Sequence, residues 1–293
     1  MRQRPRMLFR FIFLLAALAA VFSAQAQDYE IRLSFPDKVG DKSRVSVTGR
    51  DRQEMSVWSE GKKLREQVKE LSVTFEAVAI VLEVSPKGRA KRLSLQVEKL
   101  ATKEGGIEKE LLARGAVVTA ALAEKKTVFE MNGRRVEPAV AQALENAVTI
   151  GSHDYTDDEL FGTRERKRVG ESWGANRAAM METLQDPRMS VKDLKGQVTL
   201  KEVLKDAKGQ RLLVTFDVSG QALPAAGSPM PPGTLSVKGT AEFPTAPARS
   251  RVMETMEMTY TARDKLRPNA NGLEAEMRAD MKKSRRVQLT PVP

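Results

Sequence analysis

The chain has 293 residues, 49 of them Lys or Arg and 38 Asp or Glu, with one His and no Cys. The missing cysteine excludes a disulfide scaffold, a thiolate-bound zinc or iron–sulfur centre and thiol catalysis, and a lone histidine excludes a His-cluster metal site. What remains is a basic protein with 41% hydrophobic residues, long enough for one large or two smaller domains and able to bury a core without cross-links.

The N-terminal residues read first. Arg2, Arg4, Arg6 and Arg10 flank and precede an unbroken apolar run of 12 residues, Phe11 to Phe22. A membrane-spanning helix needs about 20 apolar residues, whereas the apolar core of a signal peptide needs about 7–15. Ala24 and Ala26 supply the small side chains that signal peptidase requires. The pattern predicts a signal peptide over 1–26, cleavage between Ala26 and Gln27, and export to the periplasm or beyond with no transmembrane anchor left. An uncleaved N-terminal anchor is the competing reading. A lipoprotein anchor fails for want of a cysteine. The mature chain of 267 residues then carries 45 basic and 38 acidic residues, a net +7.

Period-2 alternation dominates the mature chain and predicts strands. Tyr29, Ile31, Leu33 and Phe35 alternate with charged or polar residues before Pro36, and Val45 and Val47 open another strand. From Leu71 to Val84 apolar residues fall on both faces, as in a central strand or one carrying a bulge. Ser85-Pro86-Lys87-Gly88 then makes a tight turn into Leu93, Leu95 and Val97. A weaker strand passes through Val118, Ala120 and Leu122. Asn132-Gly133 marks a type I′ hairpin turn, because both positions of that turn need positive φ. Pro138, Val140, Leu144, Ala147 and Val148 instead show helical spacing, predicting a short helix over 138–149.

A polar stretch and a short helix near 177–184 lead to Val198 and Leu200, a turn at 206–209, and a strand through Leu212, Val214, Phe216 and Val218. Residues 221–233, rich in Pro, Ala and Gly, predict a mobile loop. Strands through 235–243 and 256–262 come next, and Leu273 to Met281 alternates without exception.

The expected fold is therefore mainly β, with antiparallel sheets of sandwich or curved half-barrel type and one short helix near 138–149. The hairpin around Gly88 echoes the one around Gly209. This suggests two related β units, 27–137 and 191–293, joined by a helical and irregular connection over 138–190.

Candidate chemistry is sparse. His153 lies among Ser152, Asp154, Asp157, Asp158 and Glu159. Consecutive residues point their side chains apart and cannot form a triad, and the string lacks the glycine-containing spacing of an EF-hand. The plainer reading is a polar turn in which Thr156 or Asp157 caps a short helix before Leu160. Met253, Met256, Met258, Met277 and Met281 suggest soft copper ligands, but strand parity divides them, and core filling accounts for them better. Two basic runs, Arg164–Arg168 and Lys282–Arg286, could meet anions. Of the second run, Lys282, Lys283, Arg285 and Arg286 are the candidates for binding an anionic surface. No catalytic residue, metal ligand or cofactor site is expected, and export leaves no nucleic-acid partner to expect.

Three segments carry a resemblance: Lys38-Val39-Gly40-Asp41-Lys42, Val128-Phe129-Glu130-Met131-Asn132-Gly133, and Phe161-Gly162 leading to Arg168-Val169-Gly170-Glu171-Ser172-Trp173. The last is similar to the V-G-D-S-W that opens the second half in a family of uncharacterised exported bacterial all-β proteins, with Glu171 in place of Asp. The resemblance implies a β fold and carries over no activity. The functional expectation is a non-catalytic binding or structural module of the cell envelope, for a lipid, another hydrophobic ligand or an anionic envelope polymer. The alternative is a carboxylate-based hydrolase acting on envelope polymers.

Overall fold

A computed structural model describes residues 27–124, 126–148, 150, 155–184, 189–206, 209–224, 231–245, 253–266 and 274–292. The predicted signal peptide, Ala26 of its cleavage site and His153 lie outside these residues.

The protein is mainly antiparallel β, built on one open sheet of thirteen strands. The first series comprises β1 (Lys42–Ser59), β2 (Lys62–Val84), β3 (Ala90–Glu104), β4 (Ile107–Leu112), β5 (Val117–Ala123), β6 (Lys126–Met131) and β7 (Arg134–Arg135). Three short helices come after it, α1 (Pro138–Ala147), α2 (Asp157–Phe161) and α3 (Arg177–Thr183), with β8 (Ser172–Gly174) between the last two. The second series continues with β9 (Met189–Asp206), β10 (Gly209–Pro224), β11 (Gly233–Pro244), β12 (Met253–Leu266) and β13 (Ala275–Pro291). In the sheet the order is β7-β6-β5-β3-β2-β1-β13-β12-β11-β10-β9-β8, with β4 attached to β3.

The two series thus run in the same direction and meet where the first strand of one pairs with the last strand of the other. The β1–β13 ladder is long, from Ser43↔Pro291 to Trp58↔Glu276. The echoing hairpins β2–β3 and β9–β10 occupy the same place, second and third, in each series.

One face of this sheet is apolar and covered by the chain itself. In the first series Val47, Phe75, Ala77, Leu95, Val97, Val118, Ala120 and Phe129 pack under Val140, Ala143, Leu144 and Ala147 of α1. Burying a large side chain of this kind is worth about 1.5–3 kcal/mol. In the second series Val198, Leu200, Leu212, Val214, Phe216, Val218, Leu235 and Phe243 pack under Leu160 of α2, Met180 of α3 and an N-terminal segment carrying Ile31 and Leu33. Phe216 stacks on Phe161, with ring centroids 5.1 Å apart. It also lies across Gly239, where a Cβ would come within 2.2 Å of its Cζ.

The N-terminal segment departs from expectation. Residues 29–35 alternate in burial as predicted, with Ile31, Leu33 and Phe35 buried, but they join no strand ladder. Tyr29 bridges Lys167, and beyond it the segment runs as a strap over the second core. The alternation reports which side chains face an apolar surface. It does not report whether the backbone finds a strand partner. Asp37 and Gly40 then fasten the strap to the first series: Asp37 N–H donates to Gly88 O at 2.7 Å and Gly40 N–H to Val81 O at 2.9 Å. Gly88 has φ +71° and lies against Pro36, leaving no room for a Cβ.

Other boundaries shift for physical reasons. β2 starts at Lys62, well before the apolar pattern, because its charged half pairs with β1 alone and buries nothing. The irregularity expected in this strand is present, as register shifts against β3 near Ala77 and Glu83. The 221–233 segment is not a loop at its start: β10 runs to Pro224, Gln221 pairs with Thr234, and Ala222 is fully buried. Residues 225–230 of that predicted loop lie outside the described residues. Asn132 and Gly133 take φ of 53° and 73°, as the type I′ turn requires. α1 covers Pro138–Ala147 of the predicted 138–149.

Candidate functional site

The opposite face of the sheet is uncovered and, across β9 to β13 and β1, mainly polar, and strand register makes a pattern there that no single strand displays. Ser172 pairs with Thr199, Thr199 with Thr215, Thr215 with Thr240, Thr240 with Thr255, Thr255 with Arg286, Arg286 with Thr48, and Thr48 with Thr74. One row of hydroxyls, interrupted by a single guanidinium, therefore crosses eight adjacent strands. Neighbouring strands are about 4.8 Å apart, and such cross-strand pairs contribute about 0.2–1 kcal/mol each. Ser172 and Thr199 share a hydrogen bond of 2.7 Å between hydroxyls, and Thr240 and Thr255 one of 2.5 Å.

Six of these strands, β9 to β13 and β1, shape an open trough of about 690 Å³. Thr48, Thr199, Thr215, Thr240, Thr255 and Arg286 line it along the row. A second row brings Gln197, Asp217, Lys238, Glu257 and Ser284 alongside. Its charges are matched: Lys238 meets Asp217 at 3.0 Å, and Glu257 meets Lys282 at 2.8 Å. Arg286 is exposed and meets no carboxylate among the described residues; its Nη2 lies 3.5 Å from Met253 Sδ.

The strand separates the four basic candidates. Lys282 and Arg286 project from the polar face with the threonines. Lys283 and Arg285 point to the covered face, because successive side chains in a strand alternate. There Arg285 donates to Ala147 O at 2.6 Å, a favourable place for a cation at a helix C-terminus. A single patch formed by Lys282, Lys283, Arg285 and Arg286 is therefore not present, and Arg286 alone of the four combines the trough with an uncommitted charge. The methionines divide in the same way, with Met256 and Met258 against the second core and Met253 on the polar face.

The other sequence candidates resolve into structural roles. Thr156 caps α2 in a capping box with Glu159. Lys87 reaches Glu159 at 2.7 Å and, with Thr156, holds its carboxyl below the usual range. Asp158 accepts from Leu33 N–H at 2.6 Å and Ser34 N–H at 3.2 Å, and so grips the strap. Its half-buried position raises its pKa despite those two donors. The basic run at 164–168 holds the start of the strap: Arg168 meets Asp28 at 2.7 Å, and Arg166 donates to Asp28 O at 2.6 Å. Trp173 of the third motif donates its indole N–H to Phe161 O at 2.7 Å. At Gly162 a Cβ would meet Asp158 O at 2.4 Å.

Chemically, the trough offers hydroxyl donors and acceptors, one open guanidinium and two lysine-paired carboxylates. Asp217 and Glu257 lie two strands apart, about 10 Å, on an exposed face. That setting supplies neither a desolvated acid nor a shielded water, as glycoside hydrolysis by two carboxylates would need.

No protein-family model matches the chain, and no curated protein matches it either. Among solved structures, an outer membrane channel from Pseudomonas putida F1 is similar at 12% identity, over 87% of this chain and 97% of that one, with a TM-score of 0.18. OpdQ of Pseudomonas aeruginosa is similar at 8% identity, over 86% and 98%, with a TM-score of 0.19. The secretin InvG of the Salmonella type III secretion injectisome is similar at 7% identity, over 98% and 70%, with a TM-score of 0.17. What the geometry itself defines is an antiparallel β protein whose two apolar cores are sealed on one face by its own chain, with the other face open and mainly polar across β9 to β13 and β1.

Proposed function

We propose that the chain is an exported protein of the cell envelope that works without catalysis, as a binding module whose working surface is the polar face of the sheet. The observation that carries this reading is the trough of about 690 Å³, along which Thr199, Thr215, Thr240, Thr255, Arg286 and Thr48 form one row. Export rests on the arginine-flanked apolar run and the Ala24/Ala26 cleavage signal, and the resemblance to exported all-β proteins agrees with it. A buried lipid has less support, because Ile31, Leu33 and Phe161 fill the second core and the space beside Phe216 amounts to about 20 Å³. A hydrolase has less support because the trough's carboxylates sit in exposed lysine pairs.

The test is fractionation of bacteria expressing the full chain, with N-terminal sequencing of the released form. The expected sequence begins at Gln27, and the purified mature protein should co-sediment with isolated envelope material. An intact Met1, or a mature protein that stays wholly in the supernatant, overturns the reading.

A further inference from the structure

We propose that Arg286 and the threonine row bind an acidic saccharide chain, with a ring carboxylate on the Arg286 guanidinium and sugar hydroxyls along Thr255, Thr240 and Thr215. The inference rests on the binding-face reading above and names its ligand class. Arg286 sits opposite Thr48 on β1 and Thr255 on β12, so hydroxyls flank the guanidinium on both sides. Its planar fork suits a carboxylate, and a charge-assisted bond of that kind is roughly twice as strong as a neutral one. Of the other charged residues lining the trough, Asp217 and Lys238 pair with each other, Glu257 pairs with Lys282, and Arg285 turns to the covered face to meet Ala147 O. An incoming anion therefore finds one cation without a carboxylate partner among the described residues.

The hydroxyl row gives the rest of the chain its register. Adjacent threonines recur about every 4.8 Å, close to the length of one pyranose unit in an extended glycan. Each hydroxyl can donate and accept, as sugar hydroxyls do. The row continues on one line from Thr255 through Thr240 and Thr215 to Thr199, so a linear chain anchored at Arg286 has hydroxyl partners across four further strands. The trough is open rather than enclosed, so a longer polymer can lie across it.

Calorimetric titration of the mature protein tests this with three probes: a galacturonate oligosaccharide, its neutral galactose counterpart, and a glycerol-phosphate polymer. The galacturonate oligomer should bind, and the galactose oligomer at least tenfold more weakly. R286A should lose about tenfold to a hundredfold in affinity, the range of a hydrogen bond to a charged group. R286K should fall between, and T240V should lose a few-fold. Arg286 is exposed, so thermal melts of R286A should match those of the unaltered protein and exclude unfolding as the cause. Equal binding of charged and neutral oligomers, or R286A binding as tightly as the original, overturns the anion site and leaves the broader reading intact. Preference for the phosphate polymer overturns the saccharide assignment. Binding of none of the three overturns the site, while co-sedimentation with envelope material decides the broader reading separately.

Discussion

The two strand series share their order yet are sealed in different ways. The first is closed by α1, which directly succeeds its last strand, so cover and sheet are neighbours in the chain. The second is closed by a composite of residues 29–35, α2 and α3, whose strap comes from far upstream and crosses to the β2–β3 hairpin. A local helix can form with its own sheet. A composite cover forms only when distant parts have arrived, and it ties the two series together once in place.

The sharpest way to break this contrast is to empty the cover on each side. Leu33 and Leu144 are both almost fully buried, at 1% and 0% exposure. L33A and L144A should each cost about 3 kcal/mol in urea unfolding. Hydrogen exchange should separate them: L33A loosens β9–β11 together with the Lys87–Gly88 turn, whereas L144A loosens the first series alone. Identical exchange maps would show that the strap is not a bridge.

Asp158 sharpens the comparison at the strap itself. D158A leaves Leu33 N–H and Ser34 N–H without their acceptor and should cost about 1–2 kcal/mol. D158N keeps an oxygen acceptor and should cost less. Because burial raises this carboxyl's pKa in the folded protein, the fold holds its proton more tightly than the unfolded chain does. The resulting stability is fully present below the ordinary aspartate value of about 3.9 and is lost as pH rises through the folded value. The stability difference between the original protein and D158N should therefore shift against the original as pH rises across that window, measured by denaturation at a series of pH values. No shift would show that the two donors balance burial, and a shift in favour of the original would show that they outweigh it.

The smallest expected effect lies at the seam. Arg285 links β13 to the C-terminal end of α1. R285A should cost about 1 kcal/mol and raise exchange in the last turn of α1, with β9 unchanged.

Much of the fold was legible because burial leaves period-2 traces in each strand: Val214, Phe216 and Val218 announced β10, and Pro138 with Leu144 announced α1. Where a strand buries nothing, as in Lys62–Glu70, the sequence carried no trace. The strap showed the opposite case, a strand pattern without a strand. The threonine row was illegible for another reason. Thr199, Thr215, Thr240 and Thr255 each look like ordinary outward residues beside buried ones, and only inter-strand register places them on one line. The same alternation that revealed β13 also separated Arg286 from Arg285, a division readable from the sequence once the basic run is extended as strand.

The β1–β13 ladder has a consequence for the chain during its own synthesis. It joins residues as far apart as Ser43 and Pro291, so the first strand made waits for the last before its second edge is satisfied. Contacts this remote make folding slow, and a waiting edge of 18 residues invites pairing with other chains. Arg44, Arg50, Arg52 and Glu54 lie along that edge, where charge discourages a wrong partner. The nascent protein thus carries its own guard against aggregation in the strand that is exposed longest.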